Sequence, residues 1–242
     1  MPVAIITGAS RGLGRALAAE LAGRGWDLVL DGRDGEVLRS AAREVERAAP
    51  EGGAGRARVR AVPGDVTSAE HRAELVAAAL EYGGGAGLDL LVNNASALGA
   101  EPLVPLAELP VEGMRAALET NVVAPFALLR AALPALRTAG GAVVNVSSDA
   151  AVEAYPTWGG YGASKAALDH LSAVLAVEEP ALRVWWVDPG DLRTGLYAAA
   201  VPDDAGFGAR PLPADVAPAF LRLLDRRPDS GRFAASELLG AR

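Results

Sequence analysis

Of the 23 basic side chains in this 242-residue chain, 22 are arginine, and the one lysine is Lys165, in Gly160-Tyr161-Gly162-Ala163-Ser164-Lys165. Arginine is a planar fork whose pKa is too high to tune, whereas lysine is a compact ammonium on a flexible stem. Lysine kept at one position alone points to chemistry that arginine does not perform. Tyr161 precedes it by four residues, so on a helix the two side chains stack on one face, about one turn apart. An ammonium beside a phenol favours the phenolate and draws a pKa of roughly 10 toward working pH. The pair is a candidate general acid/base.

For that pair to act, the rest of the chain must position it. Val3 to Ile6 reads as a short buried strand, followed by Thr7-Gly8-Ala9-Ser10-Arg11-Gly12-Leu13-Gly14 and a helix carrying Leu13, Leu17 and Leu21 on one stripe. Strand, glycine turn and helix together form the context of a dinucleotide site. The glycines let backbone approach a pyrophosphate, and the helix N-terminus supplies N–H donors. The spacing is G-x-x-x-G-x-G, not the more usual G-x-G-x-x-G. Further strands are expected over Asp27–Asp31, Arg58–Val62, Leu88–Val92, Ala142–Val146 and Arg183–Val187. Helices alternate with them, including a long stretch from Val111 to about Thr138, one from Tyr161 to about Val177 and a last one from Ala214 to Asp225. The alternation predicts an α/β fold, a single-domain Rossmann-like doubly wound parallel sheet over residues 1–242 with helices on both faces. Pro50 to Gly55 reads as a flexible loop within it, about 191–210 as a mobile lid, and the end of the chain as a short apolar tail.

Polar residues fall at the carboxyl ends of the strands, where doubly wound sheets bind ligands. After the second strand, Asp31 offers an acceptor for a free ribose 2′-hydroxyl, while Arg33 and Arg11 offer cations for a 2′-phosphate. Asp65, after the third, reads equally as an adenine contact or as the cap of a helix beginning near Ser68. Asn93-Asn94-Ala95-Ser96 ends the fourth and holds two of the chain's four asparagines, which bond neighbouring backbone and hold a crevice open. Asn121 lies inside the long helix, where asparagine is a poor fit, and Pro125 removes the donor its carbonyl would use. A local distortion able to hold a water is expected there. Ser147-Ser148-Asp149 follows the fifth strand, and Asp188-Pro189-Gly190 the sixth.

Composition narrows the function classes. The chain has no cysteine, hence no disulfide framework and no thiolate site, and His71 and His170 are too isolated to build a metal site or a triad. A net charge of −7 argues against nucleic acid. No uninterrupted apolar run approaches the ~18 residues of a membrane span, and the N-terminus lacks the charged region of a signal peptide. The expectation is a soluble, cytoplasmic protein with no metal and no membrane partner.

In order, Thr7-Gly8-x-x-x-Gly12-x-Gly14, Asp65-Val66, Asn93-Asn94-Ala95, Asn121, Ser148, Tyr161-x-x-x-Lys165 and Pro189-Gly190 with Thr194 resemble the short-chain dehydrogenase/reductase family over essentially the whole chain. The resemblance implies that Tyr161 is the general acid/base and that Lys165 lowers its pKa and holds the nicotinamide ribose. Ser148, chosen over Ser147 by its 13-residue separation from Tyr161, would bond the substrate carbonyl, and Asn121 would hold a relay water. Implied cofactor contacts are Gly8, Ser10, Arg11, Gly12, Leu13 and Gly14 in the glycine loop, then Arg33, Asp65 and Val66. Asn93, Ala95, Pro189, Gly190 and Thr194 complete them beside Tyr161 and Lys165.

The chain departs from the family pattern at Ser96 and in its ending, Leu238–Arg242. Ser96 stands where the family has glycine. Gly32 stands where NAD-preferring members carry an acid, which with Arg33 and Arg11 favours NADP(H) and leaves NAD(H) open through Asp31. The expected function is hydride transfer between NADP(H) and the carbonyl or secondary alcohol of a small or medium, largely apolar substrate, walled by Leu98, Tyr155, Trp158 and Tyr197. The alternatives are a non-catalytic NAD(P)-binding sensor or structural protein, and a 3-oxoacyl-carrier-protein reductase, which the negative charge and the Leu238–Arg242 ending disfavour. The family also implies a homodimer or homotetramer through the helices holding Asn121 and Tyr161.

Overall fold

Short apolar runs separated by amphipathic ones form seven strands and nine helices in the computed structural model, which describes residues 1–49, 57–85 and 87–240. The strands are β1 (Val3–Ile6), β2 (Asp27–Gly32), β3 (Val59–Pro63), β4 (Leu90–Asn93), β5 (Ala142–Val146), β6 (Arg183–Asp188) and β7 (Gly231–Ala234). They make one sheet in the order β3-β2-β1-β4-β5-β6-β7, and every neighbouring pair is parallel. β1, β2, β4 and β5 are buried along their whole length, as strands covered on both faces must be.

Successive side chains leave a strand on opposite faces, so β1 serves two cores. Ala4 and Ile6 pack with α1 (Gly12–Gly23), α2 (Gly35–Ala48) and α8 (Pro213–Arg226). Val3 and Ile5 pack with α3 (Ala69–Tyr82), α5 (Ala124–Ala139) and α6 (Gly159–Glu178). The strand order reverses between β1 and β4, which opens a crevice above their carboxyl ends.

Three features differ from the sequence expectations or sharpen them. The end of the chain is not merely an apolar tail: β7 pairs with β6, from Trp185↔Gly231 to Asp188↔Ala234, and leads into α9 (Ala235–Gly240). Gly231-Arg232-Phe233-Ala234 is an edge strand of four residues with no β-branched side chain, too weak a pattern to mark a strand. The stretch 191–210 carries α7 (Gly195–Ala200), capped by Thr194 Oγ1 accepting from the Tyr197 N–H at 3.2 Å. Beyond it, Tyr197 stacks on Phe207 with centroids 6.3 Å apart, and the Arg210 guanidinium lies 4.2 Å from the Tyr197 ring. The expected Pro50 to Gly55 loop lies outside the described residues.

The long helix is continuous from Val111 to Ala139 but changes pitch. α4 (Val111–Leu118) runs into a five-residue π turn, Glu119–Val123, and then α5. The distortion expected at Asn121 is therefore present, one turn before Pro125. Among the described residues this is the one helix long and apolar enough to cross a membrane, with mean hydropathy 1.4, which a search for uninterrupted runs did not anticipate. Its Leu128, Ala132 and Leu136 pack on the sheet.

Candidate active site

The glycine loop closes because only glycine suits two of its positions. Gly8 and Gly12 lie at φ +64° and +57°, in the left-handed region, and an added Cβ at Gly8 would come within 2.9 Å of Ala95 Cα. Gly14 acts differently: a Cβ there would lie 2.5 Å from Gly8 O, so its role is packing of α1 under the loop. No side chain caps the start of α1, which leaves a helix N-terminus suited to a phosphate beside Ser10, Arg11 and Gly12. The loop is tied to β4 by Thr7 and Asn94. Thr7 Oγ1 accepts from the Asn94 and Ala95 N–H groups at 2.9 and 3.0 Å. Asn94 Nδ2 donates to Thr7 O and Gly8 O at 2.8 and 3.2 Å. Asn94, not Asn93, therefore edges the crevice. Asn93 turns the other way along the strand, donating to Asn145 Oδ1 at 2.8 Å inside the sheet.

Above these strand ends lies a cavity of 550 Å³. At one end it meets Arg33, Asp65 and Val66; its middle is walled by Gly8 to Leu13 and Ala95; at the other end it reaches Ser148, Tyr161 and Lys165. Pro189, Gly190 and Thr194 flank that second end, and Leu98, Trp158 and Tyr197 wall it. Tyr155 stands outside, its hydroxyl donating to Asp149 Oδ2 or Glu153 Oε2 at 3.1 and 2.8 Å.

Tyr161 and Lys165 share one face of α6, as their spacing predicts. Lys165 is buried, donates from Nζ to Val146 O at 2.7 Å, and sits 5.5 Å from the centroid of the Tyr161 ring. Burial lowers its pKa to about 8, opposed by the nearby Asp169 carboxylate. The Tyr161 phenol is buried too, and burial lifts its pKa well above the ordinary value, with the Asp188 and Asp149 carboxylates adding to the rise. The Ser96 and Ser148 hydroxyls draw it back down. The sequence expectation was of a phenol drawn toward neutrality by Lys165; in the protein without cofactor, burial of the phenol moves its pKa the other way. A phenol held protonated is suited to donate its proton.

Ser148 ends β5 and opens a 3-10 turn over Asp149–Ala151, accepting from the Ala150 N–H at 3.2 Å and donating to Asp149 Oδ1 at 3.0 Å. Its backbone is held by Arg232 of β7, which donates to Ser148 O at 2.9 Å and to Asp169 Oδ2 at 3.1 Å. Ser147, buried beneath it, has its hydroxyl 3.5 Å from Ser148 O. The edge strand that sequence missed thus supports the candidate serine.

Asn121 lies outside the cavity lining and is a clamp. Its Oδ1 accepts from Ser96 Oγ at 3.1 Å and from the Ala97 N–H at 2.8 Å, while Nδ2 donates to Ala97 O and Ser164 Oγ, both at 2.8 Å. The side chain's hydrogen-bonding is committed to this bracket, so the expected water is left to the main-chain carbonyl. Ser96, in place of the family glycine, joins Asn121 to the hydroxyl side of Tyr161.

The far end settles Asp65 and Asp31. Ser68, not Asp65, caps α3, accepting from the His71 N–H at 3.2 Å. Asp65 Oδ1 instead accepts from Thr67 N and Oγ1 at 2.9 and 2.8 Å, and its pKa is lowered chiefly by that backbone bond, with Arg33 contributing. Asp31 is 2 % exposed, its Oδ2 accepting from the Gly8 N–H at 3.0 Å and its Oδ1 bonded to His71 Nε2 at 2.7 Å. His71, read as isolated in the sequence, is the acid's partner, and no spacing rule marks two residues 40 apart as neighbours.

The short chain dehydrogenase family model matches residues 2–205. Sepiapterin reductase from Xenopus laevis is 36% identical over 203 residues, covering 81% of this chain and 75% of that protein. Among solved structures, an alcohol dehydrogenase from the archaeon Thermococcus sibiricus, complexed with 5-hydroxy-NADP, aligns with a TM-score of 0.83 at 30% identity, covering 97% of this chain and 95% of that one. A short chain dehydrogenase from Escherichia coli CFT073, complexed with NADPH, aligns with a TM-score of 0.85 at 29% identity, covering 97% and 96%. With the family's acid/base pair on one helix face and its glycine loop at the switch point of the sheet, the chain belongs to the short-chain dehydrogenase/reductase family of NAD(P)-dependent oxidoreductases.

Proposed function

We propose that this protein transfers hydride between NADP(H) and the carbonyl or secondary alcohol of a small or medium, largely apolar substrate. The observation that carries this is the convergence of Ser148, Tyr161 and Lys165 at a cavity end walled by Leu98, Trp158 and Ala200. Trp158 meets the Tyr161 ring edge-on with centroids 5.5 Å apart, so an apolar group fits beside the phenol. The dinucleotide supplies the hydride. Tyr161 passes its proton to the substrate oxygen, and the Ser148 hydroxyl, turned from Asp149 Oδ1, donates to the same oxygen, placing donors where an alkoxide develops. Lys165 adds positive charge one helical turn away, and its position is fixed by Val146 O.

NADP(H) is favoured because Arg33 at the far end and Arg11 in the glycine loop both line the cavity, while Asp31 is bonded to Gly8 and His71. The two solved relatives that hold NADP-type cofactors support the same choice. Glu101, Asp188 and Asp191 along the cavity disfavour an acidic carrier protein as the substrate's carrier. Val111, Val123 and Phe126 on the long helix and Leu171, Val174 and Val177 on α6 are exposed, and they support a homodimer or homotetramer through these helices.

Separate titrations with NADPH and NADH, followed by nicotinamide fluorescence, test the cofactor. A ketone panel with Tyr161→Phe as the inactive control tests the reaction. Tight NADPH binding and Tyr161-dependent ketone reduction are expected. Binding of neither cofactor would sink the proposal.

A further inference from the structure

Three residues distant in sequence meet under the glycine loop. Asp31 comes from the end of β2, Gly64 follows β3, and His71 sits in the first turn of α3. Asp31 borders the cavity yet is 2 % exposed, because both carboxylate oxygens are taken by the Gly8 N–H at 3.0 Å and by His71 Nε2 at 2.7 Å. His71 is itself 6 % exposed. Its ring fits only because residue 64 has no side chain: an added Cβ at Gly64 would lie 2.2 Å from His71 Nδ1. Gly64 is pinned in turn to the end of β2, its N–H donating to Gly32 O at 3.1 Å.

We infer that His71 is a specificity-determining residue, which holds Asp31 down on the glycine loop and so withholds that carboxylate from a ribose 2′-hydroxyl. The inference rests on the NADP(H) preference proposed above. A carboxylate free at the end of β2 accepts from a 2′-hydroxyl and repels a 2′-phosphate. With His71 present, the acid is spent on the loop and the cations Arg33 and Arg11 are left to set the preference. Without it, one oxygen of a buried carboxylate loses its partner, and the cavity is the direction in which that oxygen regains one.

Dissociation constants for NADPH and NADH, measured by nicotinamide fluorescence, test this in the wild type and in His71→Leu, His71→Gln and Asp31→Asn. His71→Leu is expected to lower the ratio of the NADH to the NADPH constant about tenfold, the scale of one hydrogen bond to a charged group. His71→Gln, whose amide still donates to Asp31, is expected to keep the wild-type ratio. Asp31→Asn is expected to keep the wild-type ratio as well, since the acid makes no ribose contact in the wild type and any loosening of its tie to Gly8 bears on both cofactors alike. An unchanged ratio in folded His71→Leu would overturn the inference alone. So would an NADH constant raised more than the NADPH constant in Asp31→Asn, an outcome that does not depend on the His71 variants folding. A wild type preferring NADH would overturn the cofactor proposal, and Asp31→Asn would then decide the inference by itself. Binding of neither cofactor overturns both.

Discussion

At one end of the cavity Tyr161 and Lys165 lie a turn apart on α6, and Lys165 is fixed by Val146 O, 19 residues back. At the other end Asp31 bonds Gly8 and His71, 23 residues before it and 40 after it. The first arrangement follows from helix periodicity and one βα connection. The second exists only once β2, the glycine loop and α3 have packed together. At the Tyr161 end the type and spacing of two residues announce the proposed chemistry, whereas at the Asp31 end an acid is bonded by a partner that only the fold supplies.

Substitutions at the two ends should therefore separate cleanly. The largest effect is expected from Tyr161→Phe, which removes the proton donor. Turnover should fall about 10³-fold, within the usual range for a lost general acid, with NADPH affinity retained in fluorescence titrations. Arg33→Ala should do the converse, raising the NADPH dissociation constant about 30-fold, as for a lost charge-assisted contact. NADH binding and the turnover of bound enzyme should barely move. If either variant disturbs both properties equally, the two ends are not independent.

Lys165→Met sharpens the cost of the catalytic end. The pKa of Lys165 is lowered from 10.5 to about 8, so between those values the folded protein binds fewer protons than the unfolded chain and wild-type stability rises with pH. Below about 8 the burial penalty is present in full. Replacement by Met should abolish activity yet stabilise the fold at neutral pH by on the order of 2 kcal/mol, after the lost bond to Val146 O is allowed for. Urea unfolding should show that gain shrinking as pH rises from about 8 toward the ordinary lysine value. The smallest effect is expected from Ser96→Gly. Loss of one hydroxyl facing the phenol should move the ascending limb of the alcohol-oxidation profile upward by about one pH unit or less, seen in pH–rate profiles with the cofactor saturating.

The doubly wound sheet was legible from the alternation of short apolar runs and helical stripes. A local distortion at Asn121 was legible because Asn121 and Pro125 both resist an ordinary helix, but its form as a π turn was not. β7 was not, since its four half-buried residues lack a strand's usual side chains and gain their hydrogen bonds from β6. The choice between Asn93 and Asn94 was hidden for another reason. A strand's two faces differ by one residue of register, and only the packed sheet fixes which asparagine turns inward. The depressed Lys165 and raised Tyr161 depend on burial depth, which motif spacing does not report.

The lone buried lysine also gives the chain an unusual reactivity toward amine-directed reagents. The chain carries one ε-amine, enclosed beside Tyr161. An acylating dye offered to the folded protein should leave that amine unlabelled. Its label should appear only on unfolding, or when a small reagent enters the cavity. The mass of the labelled protein then counts how many molecules have an open interior, and a ligand that fills the cavity can be detected by the label it prevents.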